Sequence, residues 1–306
     1  MIKQVAVIGT GMMGPGIAML AARAGYPTCL IGRTEGSVER GLAAVDGAVA
    51  EMCAHGIFRS EDVECIKENL AVKTDLAEGV KDADFVIESI VEDLAIKQEL
   101  FAQLDRLCPP RAILATNTSG LSPTKIGSAT KRPDRVVATH FWNPPHLVPL
   151  VEVGRGEETS QETVERACHL MERMNKKAVV VQKDILGFIG NRLQHALFRE
   201  AISLVAQGVA TPEDIDQVVL NSFGPRYAMI GIMEYMDMCG LDLIQAVHSY
   251  LLQDLDVSAG PSPLVQQKVK DGELGIKSGK GFYDWTVRDP QKVYGRRNQI
   301  FLERLK

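Results

Sequence analysis

The 306-residue chain reads as a two-part molecule, an α/β domain on a mostly parallel sheet followed by an all-α domain. Three observations predict this. Short β-prone apolar runs alternate with helical patterns through the first half. The first of those runs opens onto a glycine-rich turn and an Ala-rich helix. From Gly187 onward the apolar spacing is helical and no convincing alternating strand follows. The division is expected between residues 1–184 and 185–306.

Gln4–Ile8 is the first strand, and Gly9-Thr10-Gly11-Met12-Met13-Gly14 follows it. Pro15 falls in the first helical turn, where its missing N–H costs nothing, and Gly25 suits the C-terminal cap. A lone G-x-G-x-x-G is a weak signal. Set between a strand and a helix it is the dinucleotide fingerprint, which makes the first domain Rossmann-type. Gly9 permits the tight turn, Gly11 lets a pyrophosphate approach the backbone, and Gly14 lets helix and strand pack closely. With Met12 and Met13 they form the expected phosphate side of a cofactor site, at a helix N-terminus. The bland alternative is a β–α turn with no ligand.

The next strand, Thr28–Ile31, ends in Gly32-Arg33-Thr34. An NAD site usually carries a carboxylate here for the ribose hydroxyls, and these three positions have none. Arg33 and Thr34 suit a 2′-phosphate, which favours NADP over NAD. The alternative is an Arg in solvent beside a carboxylate-free NAD pocket. Residues 36–71 are helical in pattern. Strand Ala71–Thr74, helix Leu76–Val80, strand Phe85–Ser89, helix Leu94–Leu107 and strand Ala112–Ala115 complete a βαβ alternation. Ligands bind beyond the carboxyl ends of such strands. Ser119, in Asn117-Thr118-Ser119-Gly120, is therefore expected to face the cofactor cleft, with Asn117 and Glu88 as further cofactor candidates. Helix capping is the alternative for Asn117, Ser119 and Glu88.

Residues 136–153 hold two β-prone runs, Val136–Phe141 and Leu147–Val153, around a turn rich in Pro and Asn. His140 lies near the end of the first run and Glu152 near the end of the second. A carboxylate on one imidazole nitrogen fixes the tautomer and raises the basicity of the other, as a general base requires. Read alone, the stretch is better explained by a core histidine with a satisfied hydrogen bond and a Glu on a solvated edge. Helix Glu162–Met174 and strand Ala178–Val181 follow. In the helical half, Ile189, Leu193, Leu197, Ala201 and Leu204 recur at helical spacing up to Gly208. Thr211 then caps another helix that has Pro212 in its first turn. Asn191 stands at the start of the long helix, where an amide is commonly a local hydrogen-bonder. The apolar helices exceed what a thin lobe buries, which leads to the expectation of a homodimer.

Composition bounds the function. A net charge of −5 argues against a nucleic-acid partner. No apolar run approaches the length of a spanning helix, so no membrane partner is expected. The first residues run straight into a strand with no signal-like segment ahead of it. The six cysteines (29, 53, 65, 108, 168 and 239) are scattered and read as small apolar residues of a reducing compartment. The expectation is a soluble cytoplasmic protein with a small-molecule substrate and no metal.

Taken together, the fingerprint, Asn117-Thr-Ser119, His140-Phe-Trp-Asn143-Pro144, Leu150-Val-Glu152-Val, Gly187-Phe-Ile-Gly-Asn191-Arg-Leu and Lys277-Ser-Gly-Lys-Gly-Phe-Tyr283 resemble the L-3-hydroxyacyl-CoA dehydrogenase family. The resemblance runs from residue 3 to about 285. It implies a two-domain fold, a nicotinamide cofactor and oxidation of a 3-hydroxyl to a ketone. It implies His140 as the base, with Glu152 orienting it. Ser119 and Asn191 would bond the reacting oxygen, and Asn143 would help position substrate and nicotinamide.

The departures bear on the substrate. Gly120 stands where the family continues with Ser, and Leu186 where it usually has Pro. The family's Gly-Tyr-Pro-Met-Gly-Pro run reads Gly224-Pro-Arg-Tyr-Ala-Met-Ile-Gly231. Arg226 then falls near where the resemblance puts substrate entry, either as a carboxylate clamp or as a structural Arg paired with Glu234 or Asp237. The family's coenzyme A handling relies on basic residues in the first helical excursion, yet Gly41–Gly56 carries no Lys or Arg and holds Asp46 and Glu51. Two substrate classes follow, a 3-hydroxybutyryl-CoA-like thioester and a small free hydroxy acid such as L-gulonate, whose dehydrogenase and its lens relative lambda-crystallin this variant also resembles. A non-catalytic dinucleotide-binding role has no need of Ser119, His140, Glu152 and Asn191 together.

Overall fold

The structure, a computed structural model, describes residues 2–306. One eight-stranded sheet organises the first part of the chain. Its strands are β1 (Val5–Ile8), β2 (Thr28–Ile31), β3 (Leu70–Lys73), β4 (Phe85–Glu88), β5 (Ile113–Thr116), β6 (Val136–Phe141), β7 (Leu150–Arg155) and β8 (Lys177–Val181). Their spatial order is β3-β2-β1-β4-β5-β6-β7-β8. Every neighbouring pair is parallel except β6 and β7. The chain reverses its winding between β1 and β4, and a crevice opens at such a switch point beyond the strand ends.

The helices that cross over in this part are α1 (Gly14–Arg23), α2 (Glu35–Ala54), α3 (Ser60–Asn69), α4 (Leu76–Val80), α5 (Leu94–Leu107), α6 (Pro123–Gly127) and α7 (Gln161–Arg173). They cover both faces, so β1 is buried throughout and reads Val-Ala-Val-Ile without polar alternation. Val5 and Val7 join one core cluster with residues of α1, α2 and α7, while Ala6 and Ile8 join a second with residues of α5. The helical stretch expected over 36–71 is broken. Gly56, with φ +69°, ends α2, and α3 starts at Ser60.

The chain divides into two compact units. One runs up to Arg192 and takes back Arg296–Lys306; the other is Leu193–Gly295. The division falls inside α8 (Gly190–Ala206), and the second unit continues with α9 (Pro212–Asn221), α10 (Phe223–Tyr227), α11 (Ile232–Cys239), α12 (Leu241–Leu251) and α13 (Pro263–Lys270). Thr211 caps α9 by accepting from the Asp214 N–H at 3.2 Å. No residue of Leu193–Gly295 is buried. The final helix, α14 (Pro290–Leu305), ends in the first unit. Among the described residues no helix is long and apolar enough to cross a membrane.

Candidate active site

The glycine turn after β1 is shaped by three different demands. A Cβ on Gly9, whose φ is +114°, would stand 2.2 Å from the Ser89 carbonyl oxygen. One on Gly14 would stand 1.8 Å from the Gly9 oxygen, whereas one on Gly11 meets nothing within 4 Å. Gly9 and Gly14 are thus fixed by packing, and Gly11 leaves an open approach to the backbone. The turn lines a cleft of about 980 Å³ with Met12, Met13, Arg33, Ser37 and Arg40. That open cradle at the start of α1 fits a dinucleotide pyrophosphate.

Three expected cofactor residues are engaged elsewhere. Thr34 caps α2: its Oγ1 accepts from the Ser37 N–H at 3.2 Å, and its own N–H donates to Ser37 Oγ at 3.1 Å. Glu88 is wholly buried, accepting from Lys97 Nζ at 2.5 Å, Thr116 Oγ1 at 2.8 Å and the Ile90 N–H at 2.8 Å. Both oxygens of Glu88 thus serve contacts inside the domain, with the side chain wholly buried. Asn117 ties three strand ends together, donating to Ser89 Oγ at 3.2 Å and accepting from the Phe141 N–H at 2.8 Å. None of the three lines the cleft.

The antiparallel pairing of β6 and β7 sets His140 directly opposite Glu152. Side chains opposite one another in such a pair share a face, and here Nδ1 and Oε2 are 2.8 Å apart. Glu152 is saturated. Its Oε2 also accepts from Trp142 Nε1 at 3.3 Å, and its Oε1 accepts from the Ile189 and Gly190 N–H groups, each at 2.9 Å. Burial works to raise the Glu152 pKa, but the His140 bond, the Gly190 N–H, the His140 charge and the Ile189 N–H outweigh it and hold the carboxyl below its usual range. A carboxylate only accepts, so His140 donates through Nδ1–H and Nε2 is left as the proton acceptor.

The segment around α8's start packs onto this pair by shape. A Cβ on Gly190 would lie 2.3 Å from the Trp142 ring, and the Phe188 ring sits 5.6 Å from the imidazole. Asn191 donates from Nδ2 to the Ser119 carbonyl at 2.7 Å. Ser119 is exposed, its N–H bonds Glu92 Oε1 at 2.9 Å, and its hydroxyl makes no bond among the described residues. The His140–Glu152 and Ser119–Asn191 pairs are thus tied through the start of α8, where the Gly190 N–H bonds Glu152 and the next residue is Asn191, all within the first unit. Asn143 is exposed in the turn just beyond β6. Arg226 belongs to the other unit, where its guanidinium lies 4.1 Å over the Tyr235 ring.

Sequence reasoning missed Trp142 as a Glu152 partner and the buried Lys97 with its carboxylate partners Glu88 and Glu92. Lys97 bridges Glu88 and Glu92, 3.4 Å from the latter, and Glu92 in turn receives Thr118 Oγ1 at 2.5 Å. A lysine on the buried side of α5 was the available signal, since a buried ammonium requires carboxylate partners.

A dinucleotide cradle at a switch point and, in the same unit, an imidazole with one nitrogen held by a carboxylate fit a nicotinamide-dependent oxidoreductase acting on CH–OH groups. The comparisons give the family. Residues 4–185 match the 3-hydroxyacyl-CoA dehydrogenase NAD-binding domain, and residues 187–285 match the C-terminal domain of the same enzymes. A probable 3-hydroxybutyryl-CoA dehydrogenase of Bacillus subtilis is 41% identical, covering 94% of this chain and 99% of its own. A 5-formyl-3-hydroxy-2-methylpyridine 4-carboxylate 5-dehydrogenase of Mesorhizobium japonicum is 36% identical, over 97% of this chain and 95% of its own. A solved structure of an NAD+-dependent enzyme described by that same activity matches with a TM-score of 0.92 at 35% identity, over 99% of this chain and 97% of its own. The (S)-3-hydroxybutyryl-CoA dehydrogenase of Ralstonia eutropha matches at 0.78 and 30% identity, over 93% and 99%. The chain belongs to the 3-hydroxyacyl-CoA dehydrogenase family, and its first domain is an NAD-binding domain.

Proposed function

We propose that this chain interconverts a secondary hydroxyl and its ketone at carbon 3 of an acyl substrate of the 3-hydroxybutyryl-CoA kind, with His140 as the base. The observation that carries the reading is the saturated Glu152, whose four donors leave it no freedom and which holds His140 Nδ1 at 2.8 Å. A nicotinamide bound in the cleft would supply the hydride acceptor for oxidation and, in its reduced form, the hydride donor for the reverse reaction. Gly9, Gly11, Met12, Met13 and Gly14 would hold its phosphates. His140 Nε2 takes the hydroxyl proton, and Glu152 stabilises the imidazolium that results. The Ser119 hydroxyl and the Asn191 amide bond the reacting oxygen, and Asn143 orients the substrate. A panel of hydroxy acids and their CoA thioesters, assayed with both dinucleotides, tests the reading; failure to oxidise any of them despite tight dinucleotide binding would refute it.

A second substrate class has its own support. The Gly41–Gly56 segment carries no Lys or Arg to attract the phosphates of a coenzyme A thioester, and its Glu51 is engaged by Asn298 and His146. The similarity to an enzyme acting on a pyridine carboxylate points the same way. On this reading the substrate is a small free hydroxy acid and Arg226 clamps its carboxylate. Arg226→Met then weakens turnover of free acids and spares thioesters.

For the cofactor, Arg33 and Arg40 line the cleft with Ser37, and Gly32–Thr34 carries no carboxylate. This supports a 2′-phosphate contact and acceptance of NADP(H) beside NAD(H). For assembly, a unit with no buried residue, and with Leu193, Leu197 and Phe198 exposed on α8, cannot be stabilised by its own core. A second copy of this chain covers it, giving a homodimer; a monodisperse monomer by light scattering would overturn this.

A further inference from the structure

Between His140 and Glu152 the chain makes a turn, 142–149, and this turn is fastened from three sides. Lys176, only 6% exposed, donates from Nζ to the carbonyls of Pro145 at 2.5 Å and Val148 at 2.9 Å. Gly16 of α1 makes room for the Pro145 ring, since a Cβ there would lie 2.6 Å from Pro145 Cγ. His146 reaches α2, its Nε2 standing 3.0 Å from Glu51 Oε2. The other oxygen of Glu51 accepts from Asn298 Nδ2 of α14, again at 3.0 Å.

Helix α14 is committed to this place by an apolar stripe on the same side. Leu302 is buried in the core cluster that holds Val45, Ala48 and Met52 of α2, and Phe301 and Leu305 pack against it. Asn298, Phe301, Leu302 and Leu305 recur at helical spacing, so one face carries both the stripe and the amide. This helix lies beyond the matched family segment, which ends at residue 285. Glu51 is therefore the junction between a terminal helix and the turn that carries Asn143.

The proton arrangement along this link is fixed. Burial lowers the His146 pKa, the Glu51 carboxylate works against that, and the charges of Lys176 and Arg297 add to the lowering. The imidazole is neutral at neutral pH and donates through Nε2–H, because a carboxylate only accepts. Its Nδ1 faces α1, where a Cβ on Gly16 would stand 3.7 Å from it. Glu51 thus accepts two bonds, one from each side, and donates none.

We propose that Glu51 is a positioning residue of the dehydrogenase: with Asn298 and His146 it couples α14 to the 142–149 turn and so sets Asn143 and the spacing of His140 from Glu152. This rests on the reading of His140 and Asn143 given above. The test is hydrogen–deuterium exchange of the full chain, read over 142–149 and over 5–14, with steady-state kinetics on 3-hydroxybutyryl-CoA and free 3-hydroxybutyrate. Glu51→Ala and His146→Leu remove bonds to a carboxylate, each worth about a tenfold to hundredfold change in a local opening equilibrium. They should speed exchange over 142–149 by about tenfold or more, leave 5–14 unchanged, and raise the substrate KM more than the dinucleotide KM. His146→Gln keeps a donor to Glu51 and should restore both readouts, whereas Glu51→Gln, whose amide has one accepting oxygen, keeps one of the two bonds and should fall between the parent and Glu51→Ala. Unchanged exchange over 142–149 in Glu51→Ala, or equal impairment in His146→Leu and His146→Gln, overturns the proposal. If neither compound is turned over, the substrate reading fails while the exchange result still decides the coupling.

Discussion

Replacing Glu152 with Gln puts the proposed base under the hardest test, because the change is nearly isosteric. The carboxylate accepts four N–H groups, two on each oxygen. An amide has one accepting oxygen. If that oxygen faces Ile189 and Gly190, the amide N–H₂ points at Trp142 Nε1 and His140 Nδ1; if it flips, the N–H₂ points at the two backbone donors. In the flipped orientation two donors lose their acceptor, and in the first Trp142 does, at about 1–3 kcal/mol each, so the variant is destabilised by about 1–6 kcal/mol. In the first orientation His140 relieves the conflict by moving its proton to Nε2, the tautomer that has no lone pair for the substrate proton. Loss of the orienting carboxylate in comparable arrangements costs roughly 10⁴-fold in turnover, and a drop of about 10³-fold to 10⁴-fold is expected here. Urea unfolding gives the first quantity and steady-state turnover with saturating dinucleotide the second. Turnover within about threefold of the parent would refute the reasoning, since a decorative carboxylate tolerates an amide.

Other outcomes follow from the same structure. Gly11→Ala should leave the melting temperature unchanged and weaken dinucleotide binding by about tenfold or more, since its Cβ meets no protein atom within 4 Å and projects into open space. Gly14→Ala should fail in folding instead, as its Cβ would collide with the Gly9 oxygen; calorimetry beside a dinucleotide titration separates the two. Glu152 has a lowered pKa from an ordinary 4.5, so its stabilisation is complete above that value and is lost as the pH falls through the folded one. The stability gap between the parent and Glu152→Gln should therefore narrow below about pH 4.5. Lys176 runs the other way: burial, with Arg23 nearby, lowers its pKa from 10.5 to about 8. The unfolded chain then holds the extra proton between those values, and the parent should gain stability relative to Lys176→Met as pH rises from about 8 to 10.5.

Much of the first unit was legible because parallel strands buried on both faces must be short, apolar and punctuated by turns. β2 and β6 fall on the expected residues, as do α4 and α5. The His140–Glu152 pair was legible as two residues near the ends of two β-prone runs, but the register that sets them opposite depends on the turn between them. Distant partners were not legible. Glu88 looks like a ligand at a strand end until Lys97, a helix away, takes its oxygen. Thr34 looks like a phosphate contact, yet Ser37 three residues on makes it a reciprocal cap. Asn117 bonds a strand that follows it by two dozen residues. The return of α14 to the first unit was hidden because its apolar stripe, Phe301, Leu302 and Leu305, names no partner.

His140 itself remains the most direct point of attack. His140→Gln removes the proton acceptor at Nε2 while leaving the Gly9–Gly14 turn untouched, so turnover and dinucleotide affinity should separate. The structure predicts turnover lowered by about 10²-fold to 10⁴-fold, with the dinucleotide Kd within about twofold of the parent. Turnover close to that of the parent, with the protein folded and the cofactor bound, would contradict His140 as the base.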